Sequence, residues 1–270
     1  MKNVVVTGST RGIGRGLAGA LLDLGCSVLI HGSTQASVDP VVADLRSNFG
    51  VDRVGGFACD VRDFEALQAL WEAAVSRWGA VDIWINNAGI GQWTDKSWVF
   101  EPAVPEKIIT VNLLGTIFGS MVAVRGMLGQ GAGAVYNMEG MGSDGRRDVD
   151  LNFYGTSKYG LDYFTQGLAQ EVEGTPVIVG ALRPGMIMTD LVLKQYEGRP
   201  DDWARAKRIF NIISDRVETV TPWLADQVLT NQRNGVTIAW LSRWKLLWRF
   251  LSAPLIRRNV MEGLEPPAPG

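Results

Sequence analysis

A phenol and an amine four residues apart offer the first chemistry in this sequence. Tyr154 and Lys158 enclose the run Gly155-Thr156-Ser157, and on a helix residues four apart share one face. An ammonium beside a phenol favours the phenolate, so Lys158 is predicted to lower the pKa of Tyr154 from about 10 toward neutrality. Such a phenol can give or take a proton near neutral pH. The same spacing also occurs in ordinary surface pairs, so it does not establish a catalytic site alone.

A glycine-rich turn near the N-terminus is typical of a phosphate-binding loop. The apolar run Val4–Val6 leads into Thr7-Gly8-Ser9-Thr10-Arg11-Gly12-Ile13-Gly14, and a helical pattern follows through Leu24. Glycines in this turn let the backbone approach a pyrophosphate, while the helix N-terminus offers free N–H groups and a positive dipole end. A tight loop without a ligand is the alternative. The strand before the turn and the helix after it favour a dinucleotide.

The end of the second predicted strand indicates which dinucleotide is bound. It reads Ile30-His31-Gly32-Ser33-Thr34 and lacks the carboxylate that NAD sites use to hold the ribose. Arg11 is instead expected to pair with the 2′-phosphate of NADP(H), with the hydroxyl of Ser33 joining it. A solvated surface charge is the alternative for Arg11. His31 is expected to pack near the adenine and has no catalytic role.

The elements that must position these residues follow from the apolar pattern. Continuous apolar runs separated by amphipathic helices predict a parallel sheet covered on both faces. The runs are Val4–Val6, Val28–Ile30, Val81–Ile85, Val135–Met138 and Pro176–Val179. Apolar residues at three- and four-residue spacing in Ala66–Ala74 predict a helix facing that sheet. The expected fold class is α/β, a single doubly wound parallel sheet of the Rossmann type with helices on both faces.

One domain is expected, because α/β folds of about 250 residues often stay undivided. Residues 1–258 form the predicted Rossmann-type catalytic domain. Within it, residues 190–218 are expected to cover the substrate, and residues 242–256 to form an apolar C-terminal helix. The Pro-rich end, residues 259–270, is predicted to be disordered.

Composition excludes several classes of function. The chain has 270 residues and a net charge of −2, which does not favour nucleic acid as a partner. A single histidine argues against a histidine-based metal site or a Ser-His-Asp triad, so no metal is expected. A strand begins within three residues of Met1, so no targeting segment is predicted. The expected location is cytoplasmic, or the plastid if a transit peptide has been removed from a plant protein.

Four further motifs follow the predicted strands in a recognisable order. These motifs are Asp60-Val61, Asn86-Asn87-Ala88-Gly89 with Asn112 downstream, Tyr154-Gly155-Thr156-Ser157-Lys158, and Arg183-Pro184-Gly185-Met186-Ile187-Met188-Thr189. Together with the glycine turn, they resemble the short-chain dehydrogenase/reductase family over about residues 2–240. The resemblance implies an NADP(H)-dependent oxidoreductase rather than a non-enzymatic NADP-binding regulator that has kept the fold.

That resemblance also implies a role for each matching residue. Tyr154 would be the general acid/base, Lys158 would hold the nicotinamide ribose and tune the tyrosine, and Asn112 would anchor a water relay. The adenine would lie between Asp60 and Val61, and Thr189 would hold the carboxamide. The remaining residues implied to contact the cofactor are Gly8, Ser9, Thr10, Arg11, Gly12, Ile13, Gly14, Ser33, Asn87, Ala88, Gly89, Pro184, Gly185 and Ile187. The family also implies a homodimer or homotetramer.

One departure from the family concerns the group that polarises the substrate carbonyl. The family carries a Ser-Ser pair soon after the fifth strand, where this chain has Glu139-Gly140. Ser143, eleven residues before Tyr154, is the predicted polarising hydroxyl. An ordinary loop serine, with Glu139 or a water in the polarising role, is the alternative.

The segment Asn137–Ser143, which contains this departure, is similar to one in plant chlorophyll(ide) b reductases, and so are Pro184–Leu191, Phe210–Ile213 and Glu218–Val220. This resemblance implies reduction of the 7-formyl group of chlorophyll(ide) b to 7-hydroxymethyl. Aromatic rings suit such a large flat substrate. The predicted substrate contacts are Trp93, Trp98, Ser143, Trp203 and Phe210, with Phe100 beside the first two. Packing within a lid is the alternative for the rings. A reductase for another bulky apolar carbonyl, such as a steroid, retinoid or quinone, is the alternative for the activity.

A short amphipathic helix is predicted after a last strand at Val236–Leu241. Ser242 would cap it, with Trp244, Leu247, Trp248 and Leu251 on one face. The segment is too short and too charged to span a bilayer. Peripheral contact with a membrane surface and packing against another subunit both remain open for this face.

Overall fold

Seven parallel strands form the central sheet in the computed structural model of this chain, which describes residues 1–256 and 258–266. The strand order is β3-β2-β1-β4-β5-β6-β9. The strands are β1 (Asn3–Val6), β2 (Ser27–Gly32), β3 (Val54–Ala58), β4 (Ile83–Asn86), β5 (Gly133–Met138), β6 (Val177–Arg183) and β9 (Thr237–Ala239). A separate parallel ribbon joins β7 (Met186–Ile187) to β8 (Ser214–Asp215). The predicted doubly wound α/β sheet is confirmed.

The described residues also contain ten α-helices, most of which cover the two faces of the sheet. They are α1 (Gly12–Asp23), α2 (Gln35–Phe49), α3 (Phe64–Trp78), α4 (Ala103–Ile109), α5 (Gly115–Gln130), α6 (Asn152–Glu171), α7 (Asp190–Leu193), α8 (Pro200–Ile213), α9 (Val217–Thr230) and α10 (Arg243–Ser252). The helix predicted from the spacing in residues 66–74 is α3.

Each face of the sheet has its own hydrophobic core. On one face, β1 and β2 pack against α1, α2 and α9; on the other, they pack against α3 and α5. Val4, Val5 and Val6 are fully buried, as a strand covered on both sides requires. Burying each such side chain contributes about 1.5–3 kcal/mol, so the sheet is a rigid base for the loops at its carboxyl edge.

The start of α1 differs from the starts of α2 and α3. Thr34 accepts a hydrogen bond from Ser37 N at α2, and Asp63 accepts one from Ala66 N at α3. No side chain caps α1, whose N-cap residue is Arg11. The first N–H groups of a helix have no intrahelical partner, so those of α1 remain available to an anion.

The position of the ligand crevice follows from the strand order. Connections run in one direction from β1 to β3 and in the other from β4 onward. Ligands of open parallel sheets bind beyond the carboxyl ends of the strands at such a switch point. Here that point lies between the glycine turn, which follows β1, and the Asn86–Gly89 segment, which follows β4.

Parts of α7 and α8 pack against residues that follow α10, apart from the two cores of the sheet. Trp203, Phe210 and Met261 are buried in a separate apolar cluster, and Trp203 Nε1 donates to Glu265 Oε2 at 2.9 Å. The disorder predicted from residue 259 therefore does not describe residues 259–266, because ring packing and hydrogen bonds hold them against α8. The rest of that predicted tail, residues 267–270, lies outside the described residues.

The stretch Ala103–Gln130 is long and apolar enough to cross a membrane by length and composition, but half of its most apolar window is buried inside the fold. It comprises α4, a π-helical turn at Thr110–Leu114 and α5. The π turn was not predicted, and it contains Asn112. Such turns inside helices frequently mark functional sites.

Candidate active site

The glycine turn is held open by backbone conformation and by a buried histidine. Gly8 and Gly12 have φ of +63° and +55°, a region that favours glycine. His31 Nδ1 accepts a hydrogen bond from Gly8 N at 3.0 Å, and its Nε2 lies 3.2 Å from Cys59 O. Burial lowers the pKa of His31 to about 4. The histidine is therefore neutral and joins the turn to β3, a role that its position in the sequence did not indicate.

The turn packs closely against the segment that follows β4. Asn87 Nδ2 donates to Thr7 O at 2.9 Å and to Gly8 O at 3.1 Å. A Cβ added at Gly14 would overlap the Asn87 amide, and one added at Gly8 would overlap Ala88. Glycine is thus required here for close approach of two backbones. A glycine-rich turn that leads into an uncapped helix start suits a pyrophosphate.

The other residues expected at the cofactor follow strands β2, β3, β4 and β6. Thr189 faces Gly12, since its Cγ2 would be 3.5 Å from a Cβ added there. Ser33 is exposed after β2. Asp60 follows β3, and its carboxylate accepts from Arg62 Nη2 at 2.6 Å. Val61 is buried against Gly115, Gly89 adjoins Asn112, and Pro184, Gly185 and Ile187 lie between β6 and α7.

Arg11 is the N-cap residue of α1. Its side chain is exposed, and among the described residues no carboxylate forms an ion pair with it. By contrast, Arg15 in the next turn of α1 is paired with Asp44. No acidic side chain follows β2 before α2 begins. A guanidinium without a protein partner at an uncapped helix start can receive a phosphate.

Tyr154 and Lys158 lie one turn apart on α6, as their spacing predicts; Lys158 is buried and Tyr154 is half-buried. Lys158 Nζ donates to Met138 O at 2.9 Å and lies 5.8 Å from the centre of the Tyr154 ring. Burial raises the pKa of Tyr154 to about 12. Burial also lowers the pKa of Lys158 to about 8, although the negative charge of Glu139 acts to raise it. The predicted shift of the phenol toward neutrality is therefore wrong for this structure. Desolvation outweighs the ammonium, whose hydrogen bond goes to Met138.

Asn112 connects the loop after β4 to α6. Its Oδ1 accepts from Ile90 N at 2.8 Å, and its Nδ2 donates to Ile90 O at 3.0 Å and to Ser157 Oγ at 3.2 Å. Ser157 Oγ donates in turn to Tyr154 O at 2.7 Å. Asn112 is thus linked to the helix that carries Tyr154 through one hydroxyl. Ser157 was not predicted, although a hydroxyl inside the Tyr-Lys motif was the available signal.

Gly140 and Ser143 form the wall facing the tyrosine. A Cβ added at Gly140 would overlap the hydroxyl of Tyr154. The Tyr154 hydroxyl therefore occupies the space that the family's serine side chain would take at this position. Ser143 is buried, and its Oγ accepts from Gly140 N at 3.2 Å. The Ser143 hydroxyl proton has no protein acceptor among the described residues. It remains available to donate to an oxygen in the cleft.

Two polar residues at the site were missed, the buried Gln92 and the half-buried Arg183. Gln92 Oε1 accepts from Tyr154 N at 3.0 Å and so fixes the start of α6 to the loop after β4. Arg183, the last residue of β6, donates from Nε to Glu139 Oε2 at 2.6 Å. Gln92 has no recognisable sequence signal. Arg183 precedes Pro184-Gly185 directly, but its partner is 44 positions away in sequence.

The structure divides the predicted substrate aromatics into two groups. Trp93 and Trp98 are 57% and 82% exposed beside the cleft, and Trp93 lies 5.4 Å from Phe100 between ring centres. Trp203 and Phe210 are 4% and 8% exposed and pack against each other and Tyr196. Only the first group presents ring faces to solvent in this conformation.

Comparison with known proteins agrees with this geometry. The short chain dehydrogenase family model matches residues 2–200, which span the glycine turn, Asn112 and the Tyr154–Lys158 pair. This chain belongs to the short chain dehydrogenase family. Members of this fold bind a nicotinamide coenzyme, and this short chain dehydrogenase is an oxidoreductase of the class that acts on carbonyl and hydroxyl groups.

Two of the similar proteins are chlorophyll(ide) b reductases, and a third acts on a hydroxysteroid. The chain is 34% identical over 232 residues to the chloroplastic chlorophyll(ide) b reductase NOL of Oryza sativa subsp. japonica, covering 84% of this chain and 66% of that protein. It is 31% identical over 272 residues to a probable chloroplastic chlorophyll(ide) b reductase of Arabidopsis thaliana, covering 95% and 54%. The chain therefore spans roughly half to two thirds of the length of these relatives. A 3alpha-hydroxysteroid dehydrogenase of Mediterraneibacter gnavus is 31% identical over 191 residues, covering 71% and 76%.

Solved structures agree on the fold. Levodione reductase superposes with a TM-score of 0.81 at 22% identity, covering 90% of this short chain dehydrogenase and 97% of the other chain. An actinorhodin polyketide ketoreductase variant solved with NADPH gives 0.77 at 25% identity, covering 88% and 95%.

Proposed function

We propose that this short chain dehydrogenase is an NADPH-dependent carbonyl reductase that converts the 7-formyl group of chlorophyll(ide) b to 7-hydroxymethyl. The observation that carries the proposal is the joint occurrence of the Tyr154–Lys158 pair on one face of α6 and 34% identity to a chlorophyll(ide) b reductase. The single domain of residues 1–258 would contain the complete site, with residues 190–218 covering the substrate.

The coenzyme would lie over the glycine turn. Its pyrophosphate would be held by the backbone of the turn between Gly8 and Gly12 and by the uncapped start of α1, with Thr189 facing Gly12. Arg11 and Ser33 would bind a 2′-phosphate, which distinguishes NADP(H) from NAD(H). When bound, the coenzyme supplies the hydride for the carbonyl carbon.

The chain's own residues would handle the proton. Tyr154 would donate its phenolic proton to the substrate oxygen as negative charge develops there. Ser143 would donate a hydrogen bond to the same oxygen, a preorganised stabilisation of the kind that often contributes most to a rate. Lys158 would hold the coenzyme ribose, and Asn112 would anchor the water through which Tyr154 is reprotonated.

Exposed aromatic residues in the loop after β4 support the proposed substrate class. Trp93, Trp98 and Phe100 present aromatic surface that suits a large flat ring system. In this proposal Trp203 and Phe210 act mainly through the cover in which they are buried, and rearrangement of residues 190–218 would be needed for them to touch a pigment. The hydroxysteroid dehydrogenase of Mediterraneibacter gnavus supports the second candidate, a reductase for another bulky apolar carbonyl.

A spectroscopic assay separates the candidates. Purified protein with NADPH and either chlorophyll b or chlorophyllide b is expected to show loss of the formyl pigment spectrum, matched by oxidation of NADPH. No pigment conversion alongside rapid turnover of steroid or quinone carbonyls would establish the second candidate. Binding of NADPH without turnover of any carbonyl would favour a non-enzymatic regulator.

An exposed apolar face on α10 supports a peripheral membrane contact, which we include in the proposal. Arg249 anchors the helix, because it donates to both oxygens of buried Asp215 at 3.0 and 2.7 Å. Trp244, Trp248 and Leu251 then point outward and are 80%, 65% and 66% exposed.

The charge of the surrounding segment favours an anionic bilayer as the occupant. Residues 227–261 include no Asp or Glu. The basic residues in this range are Arg233, Arg243, Lys245, Arg249, Arg257 and Arg258. Arg249 and Arg258 pair with Asp215, so the charges of Arg233, Arg243 and Lys245 are the ones that favour an anionic surface. A basic helix with Trp and Leu on one face is typical of a membrane-surface anchor. A contact with the membrane would also supply an apolar pigment directly.

Vesicle sedimentation tests the membrane contact. Binding to phosphatidylglycerol vesicles is expected to exceed binding to phosphatidylcholine vesicles and to fall at least about tenfold in a Trp244→Ser, Trp248→Ser variant. Tyr163→Ser, at an 82% exposed aromatic on α6, is the matched control and should bind normally. If the double variant instead changes only the oligomeric state, measured by light scattering, the face contacts a second copy.

A homodimer or homotetramer in a cytoplasmic or plastid compartment completes the proposal.

A further inference from the structure

A buried carboxyl group lies directly behind the catalytic pair without a role in the proposed reaction. Glu139 is the first residue after β5, and its N–H donates to Leu182 O at 2.9 Å, which extends the pairing with β6. Its side chain is completely buried. Its two neighbours contact the catalytic residues: Met138 O accepts from Lys158 Nζ, and Gly140 abuts the Tyr154 hydroxyl.

The two oxygens of Glu139 have different surroundings. Oε2 receives both Arg183 Nε at 2.6 Å and Arg183 Nη2 at 2.5 Å. Oε1 is buried and has no hydrogen-bond donor among the described residues. An unsatisfied buried oxygen is costly, and more so when it is charged. A carboxylate is therefore poorly accommodated at Oε1, whereas a protonated oxygen can donate to an acceptor.

The acceptor in this arrangement would be Asp162, whose Oδ1 lies 3.7 Å from the same Arg183 Nη2 that binds Glu139. Asp162 is four residues beyond Lys158 and eight beyond Tyr154, so all three lie on one face of α6. Its side chain is partly exposed, which gives the pair a route to solvent protons.

We propose that Glu139 and Asp162 share one proton, clamped by Arg183, and that this pair is a positioning element that sets the charge on Lys158. The proton is taken from water when the pH falls and resides on Glu139 Oε1, donating to the Asp162 carboxylate. It returns to water through Asp162 when the pH rises, and the negative charge then left on Glu139 stabilises the Lys158 ammonium.

The electrostatics of the group agree with this arrangement. Burial raises the pKa of Glu139 to about 7. The positive charge of Arg183 acts to lower this pKa, and Asp162 acts to raise it. Glu139 is in turn the charge that opposes burial in setting the pKa of Lys158. The charged groups around Glu139 are Arg183 from β6 and Asp162 and Lys158 from α6, and Asp144 approaches from beyond Arg183.

Glu139→Gln is the decisive variant, because a glutamine imitates the protonated acid. Its amide oxygen accepts from Arg183 and its NH₂ donates to Asp162, so the fold should be kept. Glu171→Gln makes the same chemical change at the exposed end of α6 and is the matched control.

Infrared difference spectroscopy across pH tests the shared proton without any substrate. The wild type should lose the band of a protonated carboxylic acid with a midpoint near pH 7. The band should be absent in Glu139→Gln, unchanged in Glu171→Gln, and titrate at lower pH in Asp162→Asn. A wild-type spectrum without a titrating acid band, or a band that survives in Glu139→Gln, would overturn the proposal.

A kinetic measurement tests the effect on Lys158 and rests on the proposed carbonyl reductase activity. In Glu139→Gln the alkaline limb of the kcat profile should move down by about one pH unit, because the charge favouring the ammonium is lost. A uniform fall in kcat at every pH would assign Glu139 a merely structural role and overturn this part. If the wild type reduces no carbonyl, the proposed function fails, while the infrared result still decides the shared proton.

Discussion

The hydroxyl of Tyr154 occupies the volume that a side chain at Gly140 would fill. Glycine at this position therefore sets where the proton donor stands in the cleft. The φ of Gly140 is not positive, so the requirement is for space and not for an unusual backbone conformation.

Gly140→Ala is expected to lower kcat by about 100-fold, because displacing a reacting group by about 1 Å can cost that much. Coenzyme affinity, measured by fluorescence titration, should change little, since Gly140 lies away from the glycine turn. Gly155→Ala is the control. A Cβ added there meets no atom within 4 Å, so activity should persist. Full activity in Gly140→Ala would show that the phenol stands elsewhere during reaction.

Tyr154→Phe tests the proton donor itself. The variant should bind NADPH normally and lose at least about two orders of magnitude in single-turnover rate, the usual lower size of a general-acid contribution. Its melting temperature should be nearly unchanged, because the Tyr154 hydroxyl makes no hydrogen bond with another described residue. A rate close to that of the wild type would remove Tyr154 from the mechanism.

The sequence predicts the frame of this site much better than its details. Apolar runs determine the strands, and spacing alone places Lys158 one turn beyond Tyr154. The overlap of Gly140 with the phenol depends on how residues 139–145 fold back, which no periodicity encodes. The pKa of Tyr154 was also predicted in the wrong direction, because a neighbouring charge is visible in a sequence and burial is not.

Polar contacts between residues far apart in the chain were also not predictable from the sequence. His31 bridges the glycine turn to β3 through one hydrogen bond from Gly8 N and one to Cys59 O. Residues 259–266 dock on α8 through Glu265. In both cases a residue of unremarkable local sequence finds a partner at least 23 positions away, which short-range patterns cannot indicate.

Arg11→Ala tests the choice of coenzyme. The Kd for NADPH should rise by about 10- to 100-fold, since a hydrogen bond to a charged group contributes about 1.5–3 kcal/mol. The Kd for NADH should be nearly unchanged. Arg15→Ala removes an arginine that is already paired with Asp44 and is the control, with little effect on either coenzyme. An equal loss of affinity for both coenzymes would place Arg11 at the pyrophosphate instead.

Asp215→Asn tests the anchor of α10. Asp215 is buried and binds Arg249, Arg258 and the indole N–H of Trp240. Removing the charge should lower the free energy of unfolding by about 3–5 kcal/mol, because it leaves buried guanidinium groups without compensation. Arg146→Ala breaks an exposed pair with Asp144 and should cost less than about 1 kcal/mol. Urea titrations of both variants provide the comparison.

Stability at acidic pH should depend on His31. Its pKa is held at about 4 in the folded chain by burial, against 6.5 for an ordinary histidine. Protonating His31 Nδ1 would also remove the acceptor of the hydrogen bond from Gly8 N and leave two N–H groups facing each other. The unfolded chain therefore binds the proton first as the pH falls from 6.5 to 4, and the free energy of unfolding should decrease over that window. The decrease attributable to His31 is at most about 3 kcal/mol, because tenfold in proton affinity corresponds to about 1.4 kcal/mol.

His31→Gln isolates this contribution, since an amide can accept from Gly8 N and donate to Cys59 O without titrating. Glu139 contributes with the opposite sign: its raised pKa makes the folded chain bind a proton first between pH 4.5 and about 7, which stabilises the fold on acidification. That contribution is common to both proteins and cancels in the difference. The wild type minus variant curve from urea titrations should thus be flat above pH 6.5 and fall steadily toward pH 4. A difference curve that stays flat over the whole range would mean that His31 is protonated or solvated in the folded protein.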